Sequence, residues 1–439
     1  MKVQIFEQFH GGHYTTYIQH LLPQLLAQGH EVVVTLTAQH RASSAFVQQL
    51  SAYEEAVRFD TQLAEVDPHI ALNPQYVLRH PRSGLASVKR LSKLVTGLVE
   101  AVWREQPDCL IVTTADLQNM LMAFYKRLRQ PLFPPHTRTI GIFHYGYSGA
   151  VETVSDRLKS WIYQKTWQQS PFDHLLLVNP VAYEWVKQHD SHLASRISLA
   201  ADPVASLQPF TQAAARQRLG LATEGRYIGF VGAMDHRVAI PELVAAYRKL
   251  LLDEKTSLLG PFISDGVANL QQTRLLLAGK LHPDYKTHIL AHQQDLIDAG
   301  RLILMDRYLS VEELCAGYQA LDLITPLYYK KPNLSANLLK AVMAERPVIV
   351  NDFGYTGMMT KRFRLGWACD VLNSDDLTQT LQQALTGHIS YARPEILRLK
   401  QFHTPENYAA TVLKAMHPQP SVYRPTPSKS WQWVTAAAP

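Results

Sequence analysis

The chain has 439 residues, more than one ordinary core holds, so two domains or three are expected. Hydrophobic residues make up 46% and charged residues 18%, a balance that excludes a disordered chain. The net charge of +6 comes from 43 basic and 37 acidic groups spread along the sequence, without the dense stripe of a nucleic-acid binder, so no nucleic-acid partner is expected.

The sequence opens on an apolar run, KVQIF at 2–6, read as a strand continuing to Phe9. Gly11-Gly12 turn it into a helical pattern, YTTYIQHLLPQLLAQ, in which Pro23 predicts a local kink and Gly29 a C-cap. Strands follow at EVVVTLT (31–37), CLIVTT (109–114), TIGIF (139–143), HLLLV (174–178) and RISL (196–199). The stretch at 201–226, with its prolines and short Ala/Gln/Arg helix, reads as the linker. A second set comprises YIGFV (227–231), RLLLA (274–278), RLILM (301–305), LDLIT (321–325) and PVIVN (347–351). Near-continuous apolar strands alternating with helical patterns imply parallel sheets covered on both faces. The expected class is α/β, with two Rossmann-like, doubly wound domains at 1–202 and 203–416 and a Pro-rich tail at 417–439.

Cys109, Cys315 and Cys369 are far apart in apolar contexts, which fits buried thiols rather than disulfides or a metal site. No apolar run approaches the ~18 residues that span a bilayer, and MKVQIFEQFHGGHY lacks a signal-peptide layout. The expected location is the cytoplasm. Arg79, Arg82, Lys89, Arg90 and Lys93, then Lys126, Arg127 and Arg129 near Phe124 and Tyr125, read first as solvated helix faces. Peripheral contact with anionic lipid on the cytoplasmic face of a membrane, or with an acidic acceptor, is the alternative for these groups.

The opening strand, the Gly-Gly loop, the long helix and Gly29-His30-Glu31-Val32 leading into a strand resemble the glycosyltransferases of the GT-B fold. Within that fold the chain is most similar to the large retaining group, glycosyltransferase family 4, over residues 1–415. The resemblance implies two Rossmann-like domains facing across a cleft, the acceptor on the N-terminal one and the nucleotide-diphosphate sugar donor in the C-terminal one. It implies a last helix, at about 404–416, that returns to the first domain. It also implies transfer with retention and without metal or other cofactor, the leaving diphosphate being stabilised by side-chain cations and helix-end amides.

Glycines at a strand-to-helix turn let backbone amides approach a ligand, though a two-glycine turn is also a common tight connection. The resemblance places Gly11 and Gly12 near donor phosphate and acceptor, with His10 and His13 on the acceptor side. His144 follows the strand TIGIF; alone it reads as a loop histidine bonded to backbone, and the resemblance makes it the catalytic candidate beside the donor sugar. In VGAMDHRVAIPEL the family's glycine is Gly232, but its two cation positions hold Ala233 and Val238. Arg237, one step from the second, is either the replacement cation or a surface arginine. Lys280, after Gly279, is either a further donor-binding cation or solvated.

In PNLSANLLKAVMAERPVIVNDFG (332–354), Arg346-Pro347-Val348 sets the register and puts the family's E-x7-E carboxylates at Pro332 and Lys340. Ser335 and Asn337, at the helix start, serve as an N-cap or hold phosphate. Lys340, with Lys330 and Lys331, adds positive charge, and the expectation is that Lys340 faces the cleft and pairs with the donor diphosphate. FGYTGMM then reads as a loop, with Gly354 and Gly357 beneath the donor and Asn351 and Asp352 near sugar hydroxyls. The expected function is a hexosyltransferase-like glycosyltransferase acting on a glycan, a lipid-linked sugar or a small metabolite. A non-catalytic GT-B sugar- or nucleotide-binding partner of an active transferase, and a sugar-nucleotide epimerase, are the alternatives.

Overall fold

The computed structural model describes residues 1–9, 12–64, 81–125, 131–144, 154–205, 207, 210–256, 272–329, 334–387, 389–391 and 393–417; for 12, 13, 81–91, 124, 125, 154–160 and 253–256 it describes the backbone alone. The basic groups from Arg79 to Arg90, Lys126 to Arg129, and the Pro-rich tail therefore lie outside the described side chains. The chain divides between Pro203 and Val204 into two compact units, and the described residues from Phe402 to His417 belong to the first.

The first unit is built on β1 (Lys2–Phe6), β2 (Glu31–Thr37), β3 (Arg58–Leu63), β4 (Cys109–Val112), β5 (Arg138–Phe143), β6 (His174–Leu177) and β7 (Ile197–Leu199). These form one parallel sheet in the order β3-β2-β1-β4-β5-β6-β7. The apolar runs predict this: β4 is buried throughout and β1 and β5 are buried after their first residue, as strands covered on both faces must be. Leu110, Val112, Phe143, Phe172 and Leu175 pack in one core cluster with Leu98 and Val102 of the Pro81–Glu105 helix. The Pro405–Met416 helix packs on the Gly12–Ala27 helix, which runs through Pro23 without ending there.

The second unit holds β8 (Arg226–Val231), β9 (Thr273–Ala278), β10 (Leu302–Met305), β11 (Leu323–Ile324), β12 (Val348–Asn351) and β13 (Gly366–Cys369). Its parallel order is β10-β9-β8-β11-β12-β13. From Val204 on, the stretch expected as a linker is part of this unit. Thr211 caps the Gln212–Arg218 helix, and buried Arg216 pairs with Asp322 at 2.8 Å and lies over the Tyr227 ring.

In each sheet the strand order reverses once, between β1 and β4 in the first and between β8 and β11 in the second. In open α/β sheets ligands gather at the carboxyl ends of the strands beside such a switch point. Two strands escaped the sequence reading. β3 and β13 are edge strands with half-exposed, mixed sequences, RFDTQL and GWAC, so neither carries an apolar run.

Candidate functional site

The first switch point is made by the turns after β1, β4 and β5. β1 ends at Phe6, three residues before the expected Phe9. Glu7 N still donates to Thr35 O at 3.0 Å, and just beyond it the chain turns so that the Glu7 carboxylate points inward, where Oε1 accepts from Phe9 N at 2.8 Å. Its Oε2 accepts from Thr113 Oγ1 and Thr114 Oγ1, each at 2.7 Å. Glu7 is 1% exposed, and burial pushes its carboxyl up to about 7 against the pull of these donors.

His144 follows β5 and is half-buried. Its backbone N–H donates to Asp116 Oδ2 at 2.9 Å, and its Nε2 lies 2.8 Å from Thr113 O. A carbonyl only accepts, so Nε2 carries the proton and, in the neutral ring, Nδ1 carries the lone pair. Burial holds the imidazole below its usual titration range, so it is neutral at pH 7. The edge of Tyr17 meets the His144 ring at 4.7 Å, and Tyr17 also packs edge-on to Tyr408 and donates to Asp202 Oδ1 at 2.7 Å. The residues expected at the Gly-Gly loop are not part of this picture: of the donor-side glycines, Gly11 lies outside the described residues and Gly12 opens its helix, and of the acceptor-side histidines, His10 lies outside the described residues and the His13 side chain is not described.

The second switch point is made by the turns after β8, β9 and β11 and by the Ala336–Met343 helix. Gly232 and Gly279 end β8 and β9 with φ of +125° and +136°. A Cβ on Gly279 would sit 2.0 Å from Gly232 O, so only glycine closes the two turns together. At Gly232 a Cβ would instead meet the Asn337 amide at 3.6 Å, an ordinary contact, and the Gly232 N–H donates to Ala278 O at 2.9 Å, so here the glycine answers to its positive φ and lets the turn lie close to a helix start. Asn337 Oδ1 accepts from Tyr318 OH at 2.8 Å, and its Nδ2 donates to Tyr328 OH at 3.0 Å. Tyr318 OH also lies 3.1 Å from Val231 O, tying the helix to the end of β8.

Ser335 precedes that helix but its side chain makes no cap bond, contrary to the N-cap expectation. Its hydroxyl is fully buried beside the Tyr328 phenol, which burial pushes up to about 12. Asn351 Nδ2 donates to Tyr328 O at 2.9 Å, and Pro326, Tyr328, Asn351, Phe353 and Thr356 line a small open recess. Gly354 is not in a loop. It is the first residue of the Gly354–Arg362 helix, with φ +61°, and Gly357 lies within that helix, because Phe353 is already extended and the chain turns directly into helix at the glycine.

The expected cations stand at the rim with carboxylates. Arg237 Nε lies 3.0 and 3.1 Å from the two oxygens of Asp235, two residues away, and its side chain is exposed. Lys280 lies 3.2 Å and Lys286 2.8 Å from Asp306. The Lys286 bond and the Leu281 amide hold that carboxyl far below its usual range. Lys340 is half-buried with Nζ 5.8 Å from the centroid of the Tyr318 ring, so Tyr318 bridges it to Asn337. Pro332, Lys330 and Lys331 lie outside the described residues.

Comparison with solved structures places this architecture. Sucrose-phosphate synthase from Thermosynechococcus elongatus superposes over 100% of both chains with a TM-score of 0.63 at 14% identity. The fold is GT-B. HepE of Anabaena, in complex with UDP and glucose, matches over 95% of this chain and 99% of its own, with a TM-score of 0.56 at 13% identity. UDP-GlcNAc 2-epimerase from Neisseria meningitidis, bound to UDP-GlcNAc, matches over the same shares with a TM-score of 0.56 at 14% identity. These identities establish fold alone. No protein-family model and no curated protein sequence matches the chain.

The residues that sequence reasoning missed are Glu7, Thr113, Thr114, Tyr17, Tyr318 and Tyr328. Glu7 carried a signal, since an acidic residue directly after a buried strand needs either water or donors. The tyrosines carried none; they read as core aromatics.

Proposed function

We propose that the protein is a nucleotide-diphosphate-sugar-dependent glycosyltransferase, a divergent relative of family 4. The second unit takes the donor nucleotide; the first takes the acceptor and contributes His144 as the catalytic group. The acceptor class remains sugar, lipid-linked sugar or small metabolite, and transfer is with retention and without metal. The observation that carries this reading is the second switch point. There, the side-chain-free turn at Gly232 meets a helix start whose Asn337 is held by buried Tyr318 and half-buried Tyr328. The Gly232 N–H is itself bonded to Ala278 O, so it is the amides of the adjacent helix start that suit a phosphate, and the rim supplies Arg237 and Lys280. That the solved structures of this fold include complexes with UDP, UDP-GlcNAc and glucose supports the choice of ligand.

A thermal-shift series with UDP, GDP, ADP and their sugars tests it. At least one diphosphate is expected to raise the melting temperature in a saturable way, and its sugar to be slowly hydrolysed. No shift with any of them sinks the proposal. A second reading is favoured by one observation: Arg237 and Lys280 are both matched with carboxylates, Asp235 and Asp306. A non-catalytic GT-B partner protein keeps such pairs closed, and it predicts binding with no turnover of any donor.

A further inference from the structure

Glu7 sits under two opposing influences. Full burial disfavours its charge, and three donors favour it. The donors come from separate parts of the chain: Phe9 N from the turn after β1, and Thr113 and Thr114 from the turn after β4. Thr113 Oγ1 has a second acceptor within reach, Phe6 O at 3.2 Å. A protonated Glu7 would therefore donate to a threonine hydroxyl while Thr113 turned its proton to Phe6 O, with no heavy atom displaced. The Thr113 carbonyl, on the same residue, is the acceptor that fixes the His144 ring.

We propose that Glu7 is a positioning residue, whose ionised carboxylate ties the turn after β1 to the turn after β4 and thereby holds His144 with Nε2 protonated and Nδ1 as its basic nitrogen. The catalytic consequence rests on the transferase reading above; the coupling of Glu7 to His144 does not. Protonation of Glu7 removes the charge, turns one acceptor into a donor and re-aims the Thr113 hydroxyl to Phe6 O, which changes the polar surroundings of the carbonyl that fixes His144. Its titration is centred on about 7, inside the working range, whereas burial keeps that of His144 below its usual value. Among the described residues, the ionisable groups around this network are Tyr408, Tyr17, Asp202, His403 and Asp116. Tyr408 feels the Glu7 charge, with burial its larger influence. Tyr17 is bonded to Asp202, whose backbone carbonyl lies 3.0 Å from His403 Nδ1. Asp116 accepts from the His144 backbone N–H. Tyr17 and Tyr408 are held neutral, so Glu7 is the group expected to change charge near pH 7.

The test reads the ring nitrogens of His144 by 15N NMR in the full-length protein, from pH 5.5 to 8.5, in wild type, Glu7→Gln and Thr114→Val. Wild type is expected to show the Nε2–H tautomer at high pH, with ring shifts that move through a midpoint near 7. In Glu7→Gln that neutral-pH step should vanish, leaving the low-pH ring environment throughout. Thr114→Val removes one donor from the carboxylate, so the step should survive at higher pH. It also serves as the readout should Glu7→Gln fail to fold. An unchanged step in either variant overturns the proposal. If the diphosphate found by thermal shift supports donor hydrolysis, Glu7→Gln should lower kcat at pH 8 about tenfold, abolish the limb near pH 7 and leave donor KM within twofold. A kcat profile that keeps that limb in Glu7→Gln also overturns it. Should the wild type turn over no donor while the NMR step behaves as expected, the transferase reading fails and the Glu7–His144 coupling stands.

Discussion

At the first switch point a carboxylate, Glu7, is sunk beneath the strand ends with three donors on it. At the second, the interior network of Tyr318, Tyr328 and Asn337 carries no charge; Arg237 and Lys280 stay at the rim paired with carboxylates, and half-buried Lys340 lies over the Tyr318 ring. The difference lies in how easily each arrangement responds to a ligand. A rim pair such as Arg237 with Asp235 is worth about 1 kcal/mol or less, so a phosphate can take the cation over at small cost. A buried carboxylate cannot be solvated where it sits, and it responds instead through protonation, near pH 7. One unit is thus arranged to exchange partners, and the other to hold a ring in place.

Four substitutions break or sharpen this contrast, taken from the largest expected effect. Gly279→Ala places a Cβ 2.0 Å from Gly232 O and should destabilise the second unit by about 4 kcal/mol, seen as a large fall in denaturant midpoint. Glu7→Gln should do the opposite to the first unit. The folded-state carboxyl is raised from 4.5 to about 7, so native protein binds the proton that unfolded chain has released, and wild-type stability falls as pH climbs between those values. Glutamine mimics the protonated acid, so the variant should be more stable than wild type by roughly 3 kcal/mol at pH 8 and nearly equal at pH 4.5. A pH-independent difference would contradict the account.

Asn337→Ala strips partners from the Tyr318 and Tyr328 hydroxyls and should cost about 2 kcal/mol in chemical denaturation, with no pH dependence between 5 and 8. Asp306→Asn should change stability by about 1 kcal/mol or less at neutral pH, because Lys280 and Lys286 are half-exposed. Its signature is at low pH: the folded carboxyl lies below its unfolded value, so the wild-type advantage exists above the usual carboxylate range and disappears as acid titrates the group. The same variant should tighten diphosphate binding, since it releases two lysines.

Much of the fold was legible because buried parallel strands must be apolar on both faces, and KVQIF, CLIVTT, TIGIF and RLLLA say so directly. The edges were not, since β3 and β13 bury too little to need such runs. Gly232, Asn337 and His144 were singled out through the resemblance, since by themselves a turn glycine, a polar residue at a helix start and a loop histidine have ordinary structural uses. Glu7 could not be assigned, because its partners lie 106 and 107 residues away and only sheet order brings them together. The helix at Gly354 was hidden for a different reason: glycines within a few residues of one another argue for a turn locally, and packing of Tyr355 and Met359 into the unit decides for helix.

The claim on which the account depends is that the second unit binds a nucleoside diphosphate at Gly232. Isothermal titration of wild type and Gly232→Val with UDP, GDP and ADP tests it most directly. Valine puts side-chain bulk between the turn and Asn337 at the helix start, so one diphosphate should bind wild type and bind the folded variant at least tenfold more weakly. Equal binding by both proteins, or binding by neither, would contradict the account.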